Sequence, residues 1–257
     1  MKRVVVISDM HCGHVVGLTP PSWDNDRPKA HLKKAHIMRR AIWDYYVSTL
    51  KSLQPIDILI VNGDCVDGRG EKSGGTELLY IDRDDQVEMA ADCIMEAAAN
   101  KVVMSYGTGY HTGKEEDWER QIAKKVKATK IGSVDTIEVY GIIFNYRHFV
   151  GGSQVPYGRA TAIARDRTWN VLWAERGEYP KADVIIRSHV HYHEFCGNSQ
   201  FIAMTTPALQ GYGSKYGARN ISGIVDIGLV HFDVEQGGEF RWEAHVVRMP
   251  RSEPVRL

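Results

Sequence analysis

Five short patterns in the chain bring together side chains that could do chemistry: Asp9-x-His11, Gly63-Asp64-x-x-Asp67, Gly109-Tyr110-His111, a lone His148, and His189-x-His191. Carboxylate oxygen and imidazole nitrogen together make a donor set suited to a divalent transition metal. In extended backbone, residues i and i+2 point the same way with Cα atoms roughly 6.5–7 Å apart. That spacing predicts that Asp9 and His11 aim at one point; the plainer reading is a capping Asp and an incidental His. His189, His191 and His193 stand at alternate positions and form the strongest local metal signal. A carboxylate at Asp64 is costly unless something positive sits beside it, and the plain alternative is an Asp in a tight turn. His111, next to a glycine-rich strand end, suits a catalytic imidazole or a hydrogen-bonded turn.

These residues need elements to position them. Each pattern follows an apolar run: Arg3–Ser8, Ile58–Val61, Lys101–Tyr106, Ile142–His148 and Ala182–Ile186. Such runs read as strands buried on both faces, and in open α/β sheets ligands bind beyond the strands' carboxyl ends. Helical periodicity predicts a helix from about Ala35 to Leu53 (Ile37, Ala41, Ile42, Tyr45, Val47, Leu50) and another near Arg83 to Ala99. Residues 115–129 read as a charged, solvated helix. A helix near 160–175 carries Arg165 and Arg167 with Trp169 and Trp173, preceded by Arg159. It is either amphipathic with its tryptophans in a core, or a phosphate-facing patch with a stacking aromatic. Gly141 suggests a hairpin between 136–140 and 142–148. Residues 199–205, 223–234 and 239–248 read as antiparallel strands completing a sheet, with His231 and His245 structural. The proline-rich stretch 14–35 reads as a loop that either walls a cleft or is a surface insertion. His31 and His36 receive no role. The glycine-rich segments 68–75 and 107–114 both lack the P-loop spacing.

Composition sets outer bounds. The 257 residues are 43% hydrophobic and 25% charged, an ordinary globular balance, read as one domain over 1–257. Thirty-two basic against 32 acidic residues give no overall basic field for nucleic acid, though a local patch stays open. Cys12, Cys65, Cys93 and Cys196 show no C-x-x-C, so neither a zinc ribbon nor a disulfide framework is indicated. The sequon at Asn220-Ile221-Ser222 carries no weight without a secretory signal. No signal peptide and no apolar run near 18 residues is found, so the expectation is a soluble cytoplasmic protein away from membranes.

Taken in order, the five patterns resemble the calcineurin-like metallophosphoesterase superfamily, whose motifs are D-x-H, G-D-x-x-D, G-N-H-[DE], a lone H and G-H-x-H. The resemblance spans residues 3 to about 210. It implies an α/β fold of two mixed β-sheets packed as a sandwich flanked by helices. It implies two divalent metal ions (manganese favoured; iron, nickel, cobalt or zinc the alternatives). Asp9, His11 and His191 would hold one, His148 and His189 the other, and Asp64 would bridge them. An activated water would attack phosphorus, His111 would stabilise charge or protonate the leaving group, and Asp67 would act as a support. The implied activity is phosphoester hydrolysis, as a phosphodiesterase or nuclease acting on nucleic acid or a nucleotide. The alternatives are a phosphomonoesterase like the protein phosphatases, or a non-catalytic metal-binding scaffold. Three positions depart from the pattern. Tyr110 stands where the family has an Asn ligand, and a neutral phenol with a pKa near ~10 is a poor ligand. Ser188 and Thr112 replace the usual Gly and acidic residue.

Overall fold

The computed structural model describes residues 1–24, 32–113, 117–212 and 225–247, without the side chain of Lys72. The sequon and residues 25–31 of the 14–35 stretch, His31 among them, lie outside the described residues. Strand β1 (Lys2–Ile7) begins the first sheet. Beside it run β2 (Ile58–Asn62), β3 (Lys101–Ser105) and β4 (Lys130–Gly132), all parallel. The second sheet comprises β5 (Asp135–Val139), β6 (Ile142–Tyr146), β7 (Val184–Arg187), β8 (Glu194–Asn198) and β9 (Phe201–Thr205), in the order β5-β6-β7-β9-β8. Strands β10 (Ile227–Val234) and β11 (Phe240–Val247) return to the first sheet, antiparallel beside β1, giving the order β11-β10-β1-β2-β3-β4.

Alternation along the strands sorts side chains between the layers. Val4, Val6, Ile60 and Val103 face the second sheet and pack with Phe144, Tyr146, Val184, Ile186 and Met204. Val5, Ile7, Leu59 and Val61 face the other way. They meet α1 (Lys33–Ser52), α2 (Arg83–Met95) and α4 (Trp118–Lys125) through Ile42, Tyr46, Val87, Ile94, Trp118 and Ile122. On the far side, α5 (Arg159–Glu175) sets Ile163 against Ile185 and Ala203. A short α3 (Gly109–Thr112) follows β3. The layer order is helix, sheet, sheet, helix, as the resemblance implies. Each aliphatic side chain fully buried here contributes about 1.5–3 kcal/mol. The β5–β6 hairpin turns through Tyr140 and Gly141, with φ of 50° and 86°, the left-handed pair that a two-residue hairpin loop requires.

Several expectations need correction. The stretch 199–205 does not join the later strands: β9 is parallel to β7 and antiparallel to β8, while β10 and β11 extend the first sheet. Strand β8, polar and short, had no sequence signal. The helix expected to be solvated buries Trp118, Glu119, Ile122 and Ala123. Ile37 is exposed, and α1 instead buries Arg39, whose guanidinium donates to Asp24 and to the Val15 carbonyl. Residues 14–20 are packed inside, with Val15, Val16 and Leu18 buried, so this part of the stretch is no surface insertion. On α5 one face is buried through Ile163, Asp166, Arg167 and Asn170, as an amphipathic helix requires, but the tryptophans are not core and Arg167 does not face outward. Trp169 is half exposed, and Arg167 is buried and donates to the Ala182 carbonyl.

Candidate metal centre

Strands β1, β2 and β3 of the first sheet and β6 and β7 of the second all end at one edge of the sandwich. The chain leaves them through unusual backbone. Asp9, His11, Asp64, His189 and His191 have φ of 51°, 44°, 51°, 75° and 55°. The i,i+2 convergence expected from extended backbone is therefore reached by left-handed residues instead. Such conformations cost of order 1–3 kcal/mol each and persist only where surrounding structure enforces them. Backbone pairing past the strand ends does so here. Asp9 N–H donates to the Gly63 carbonyl and His11 N–H to the Asp64 carbonyl, both at 3.0 Å, and Cys12 N–H donates to that of Cys65 at 2.9 Å. Gly107 permits a close approach: a Cβ there would lie 2.1 Å from Asp64 Oδ1.

Three buried groups of candidate ligands result: Asp9, His11 and His191; Asp64, His148 and His189; and His11, Asp64 and His111. Within each, the ligand atoms lie inside 4.8 Å of one another. His191 Nε2 is 3.3 Å from His11 Nε2 and 3.2 Å from Asp9 Oδ1. His148 Nε2 is 2.9 Å from Asp64 Oδ2 and 4.0 Å from Asp9 Oδ1, so the first two groups adjoin. His189 Nδ1 faces Asp64 Oδ2 at 4.0 Å. Asp9 Oδ1, His148 Nε2 and His189 Nδ1 are buried with no hydrogen-bond partner among the described residues.

A further ring of contacts fixes how these groups present themselves. His148 Nδ1 lies 2.7 Å from the Asn62 carbonyl, which can only accept, so Nδ1 carries the proton and Nε2 faces the site. The same logic holds for His111, whose Nδ1 is 2.7 Å from the Asp67 carbonyl. The Asp67 carboxylate takes His11 Nδ1 at 3.2 Å. Thr108 donates its N–H to Asp64 Oδ1 at 2.7 Å, leaving Oδ2 toward the histidines. His193, the third of the alternating histidines, turns away, with Nδ1 on the Thr205 carbonyl at 2.8 Å. Tyr110 is half-buried, its ring 4.7 Å from that of His111.

Beneath the site runs a chain of buried polar side chains that sequence reading did not find. Ser105 Oγ donates to Asn62 Oδ1 at 2.7 Å, and Asn62 Nδ2 donates to Ser188 Oγ at 2.6 Å. Ser188 meets Thr206 Oγ1 at 2.6 Å, and Thr206 meets Ser8 Oγ at 2.8 Å. These five residues stand at or just past the ends of β3, β2, β7, β9 and β1 and tie the two sheets together. Glu119 does a similar job from α4. It is fully buried and accepts from Cys65 N–H at 3.1 Å and Gly107 N–H at 2.5 Å. Its neighbours Trp118 and Ile122 gave the only sequence signal that this helix faces inward.

The electrostatics favour a bound cation. Burial works against ionisation of Asp9, but His191 and His148 hold its carboxyl well below the usual range. Burial likewise opposes ionisation of Asp64, and His148 more than offsets it. Burial also disfavours a charged His148, yet Asp64 and Asp9 push its pKa up to about 10. The two carboxylates thus make the place where His148 Nε2 stands strongly favourable to positive charge. His111 goes the other way: burial, helped by His11, lowers it to about 4.

No protein-family model matches the chain, and no curated protein matches it. Solved structures do. An archaeal phosphodiesterase is similar at 13% identity and a TM-score of 0.46, covering 95% of this chain and 99% of its own. A single-mutant Vps29 from Entamoeba histolytica is similar at 12% identity and a TM-score of 0.47, with 96% and 99% covered. Wild-type Vps29 from the same organism, solved with zinc, gives 11%, 0.42, 95% and 98%. Likenesses of this size assign no activity, and the chemistry has to be argued from the residues themselves.

Proposed function

We propose that this protein is a metal-dependent hydrolase of phosphoester bonds, acting on diesters in preference to monoesters. Asp9, His11 and His191 hold one divalent ion, His148 and His189 hold a second, and the Asp64 carboxylate serves both. The observation that carries this reading is the set of buried, unpartnered atoms on Asp9, His148 and His189. A buried polar atom without a partner costs about 1–3 kcal/mol, and three around one point mark a place built for something to bind. The separations fit a metal. Two ligands about 2.0–2.1 Å from a tetrahedral ion lie about 3.3–3.4 Å apart, close to the 3.2 and 3.3 Å seen around His191. The mixed oxygen and nitrogen donors suit manganese, iron, cobalt, nickel or zinc, and we favour manganese.

Bound divalent ions supply Lewis-acid charge and lower the pKa of water to near neutrality. The chain's own residues do the rest. Thr108 holds the Asp64 carboxylate with its N–H on Oδ1 and its hydroxyl against both oxygens, so the carboxylate is presented in a fixed direction. Asp67 orients His11 through its carboxylate and His111 through its carbonyl. With Nδ1 so anchored, His111 directs Nε2 at the site, where it stabilises or protonates the departing oxygen once a phosphate's negative charge favours the imidazolium. Phe149 supports a base-bearing substrate. It is half exposed and lies 4.9 Å from the His189 ring, so it offers a flat face beside the site on which a nucleobase would stack. A nucleotide or nucleic acid is the substrate class we infer. A metal-binding scaffold without turnover is the second reading, and Tyr110 at the family's Asn position is what favours it.

The test is turnover of bis-p-nitrophenyl phosphate and p-nitrophenyl phosphate with added manganese, before and after chelation. The proposal expects metal-dependent cleavage with the diester faster. Both substrates inert across several metals would favour the scaffold.

A further inference from the structure

Away from the strand ends, β10 and β11 carry a second group of possible ligands: His231, Glu243 and His245, with ligand atoms within 4.8 Å of one another. The register explains the grouping. His231 lies directly opposite Glu243, and His245 follows two residues along the same strand, so all three share one face. Val230 and Phe232 point into the inter-sheet core while Leu229 packs on the helix side. His231 alternates with Val230 and Phe232 and therefore shares the helix side with Leu229. Strand β11 is the edge of the sheet, and Glu243 is exposed, which leaves a route from solvent.

The donor types of this group match those of the first two strand-end groups, but it lies on an edge strand with one ligand exposed. Two imidazoles and one carboxylate with a position open to water form a donor set suited to a zinc-type ion. His231 Nδ1 and His245 Nε2 are 2.8 Å apart, one proton shared between them. Behind His231, Nε2 looks toward Asp233 Oδ2 at 3.8 Å. Ligating histidines commonly direct their other ring nitrogen at a carboxylate in this way. Asp233 is itself fixed by two bonds from Arg3, at 2.7 and 2.8 Å.

We propose that His231, Glu243 and His245 form a separate site for one zinc-type divalent ion, which replaces the shared proton and clips the edge strand β11 to β10. The site is independent of the strand-end centre and of any turnover there. The test uses the full chain carrying Asp9→Asn and Asp64→Asn, which disables the strand-end groups. Zinc is titrated against a chromophoric chelator, and thermal unfolding is followed with and without zinc. One ion per chain is expected in this background, with a zinc-dependent rise in Tm. His245→Ala and, separately, the exposed Glu243→Gln should weaken that ion by more than the roughly 10–100-fold that loss of a supporting partner costs. They should also remove the rise in Tm. No zinc bound in this background, or zinc bound equally well by both variants, overturns the proposal. Neither outcome bears on the strand-end centre.

Discussion

His148 Nε2 stands 2.9 Å from Asp64 Oδ2 yet makes no hydrogen bond to any described residue. The proton on the ring's other nitrogen is committed to the Asn62 carbonyl. The buried imidazole and carboxylate face each other directly, and the charges of Asp64 and Asp9 raise the pKa of His148 to about 10.

His111 and the ligand groups can be separated by experiment. His111→Ala should lower turnover by about 10²–10⁴-fold, the range for a lost general acid or base, with metal content unchanged. Because His111 also lies within reach of His11 and Asp64, the measurement has force. Metal lost together with activity would make His111 a ligand.

Asp67 acts through its neighbours. Asp67→Asn keeps the backbone carbonyl that anchors His111 but weakens the carboxylate's hold on His11. Metal affinity at the Asp9 group should fall by about 10–100-fold, measured by manganese titration. Unchanged affinity would mean that His11 is oriented by packing alone.

Ser188 links Asn62 to Thr206 across the two sheets. Ser188→Ala leaves buried polar atoms without that partner and should cost about 1–3 kcal/mol, read from the urea midpoint. A change within 0.5 kcal/mol, the scale of an ordinary surface substitution, would show that the chain of hydroxyls is not needed to hold the strand ends.

Glu119 supplies a pH signature in the metal-free protein. Burial, with Asp64 adding to it, raises its carboxyl from 4.5 to about 7. A raised acid favours the protonated folded state. Its contribution is therefore fully present below about pH 4.5 and is lost as pH climbs through 7. Wild type should lose stability across that window, and Glu119→Gln should lose less. Parallel pH profiles for the two proteins would place the titration elsewhere.

What could be read from the sequence was the set of strand-end residues, because apolar runs of fixed length deliver the next residue to a known edge. Asp9, His11, Asp64, His148, His189 and His191 do gather there, although all but His148 do so by left-handed backbone and not by strand alternation. Long-range pairing was not legible. Nothing in Asn62, Ser105, Ser188 and Thr206 says that they meet, because their partners are up to 126 residues away in the bonds that Asn62 makes. Glu119 was misread for the same reason. A glutamate in a charged helix signals solvent unless one knows that two backbone N–H groups wait for it. Of the three alternating histidines only two were expected to converge, and the third, His193, is held by the Thr205 carbonyl.

The most direct test counts manganese ions per chain in wild type and in the Asp9→Asn/Asp64→Asn double variant, with circular dichroism confirming that both are folded. Two fewer ions in the folded variant, with diester cleavage lost, is the predicted result. Equal manganese content in the two proteins would contradict a metal centre at these strand ends.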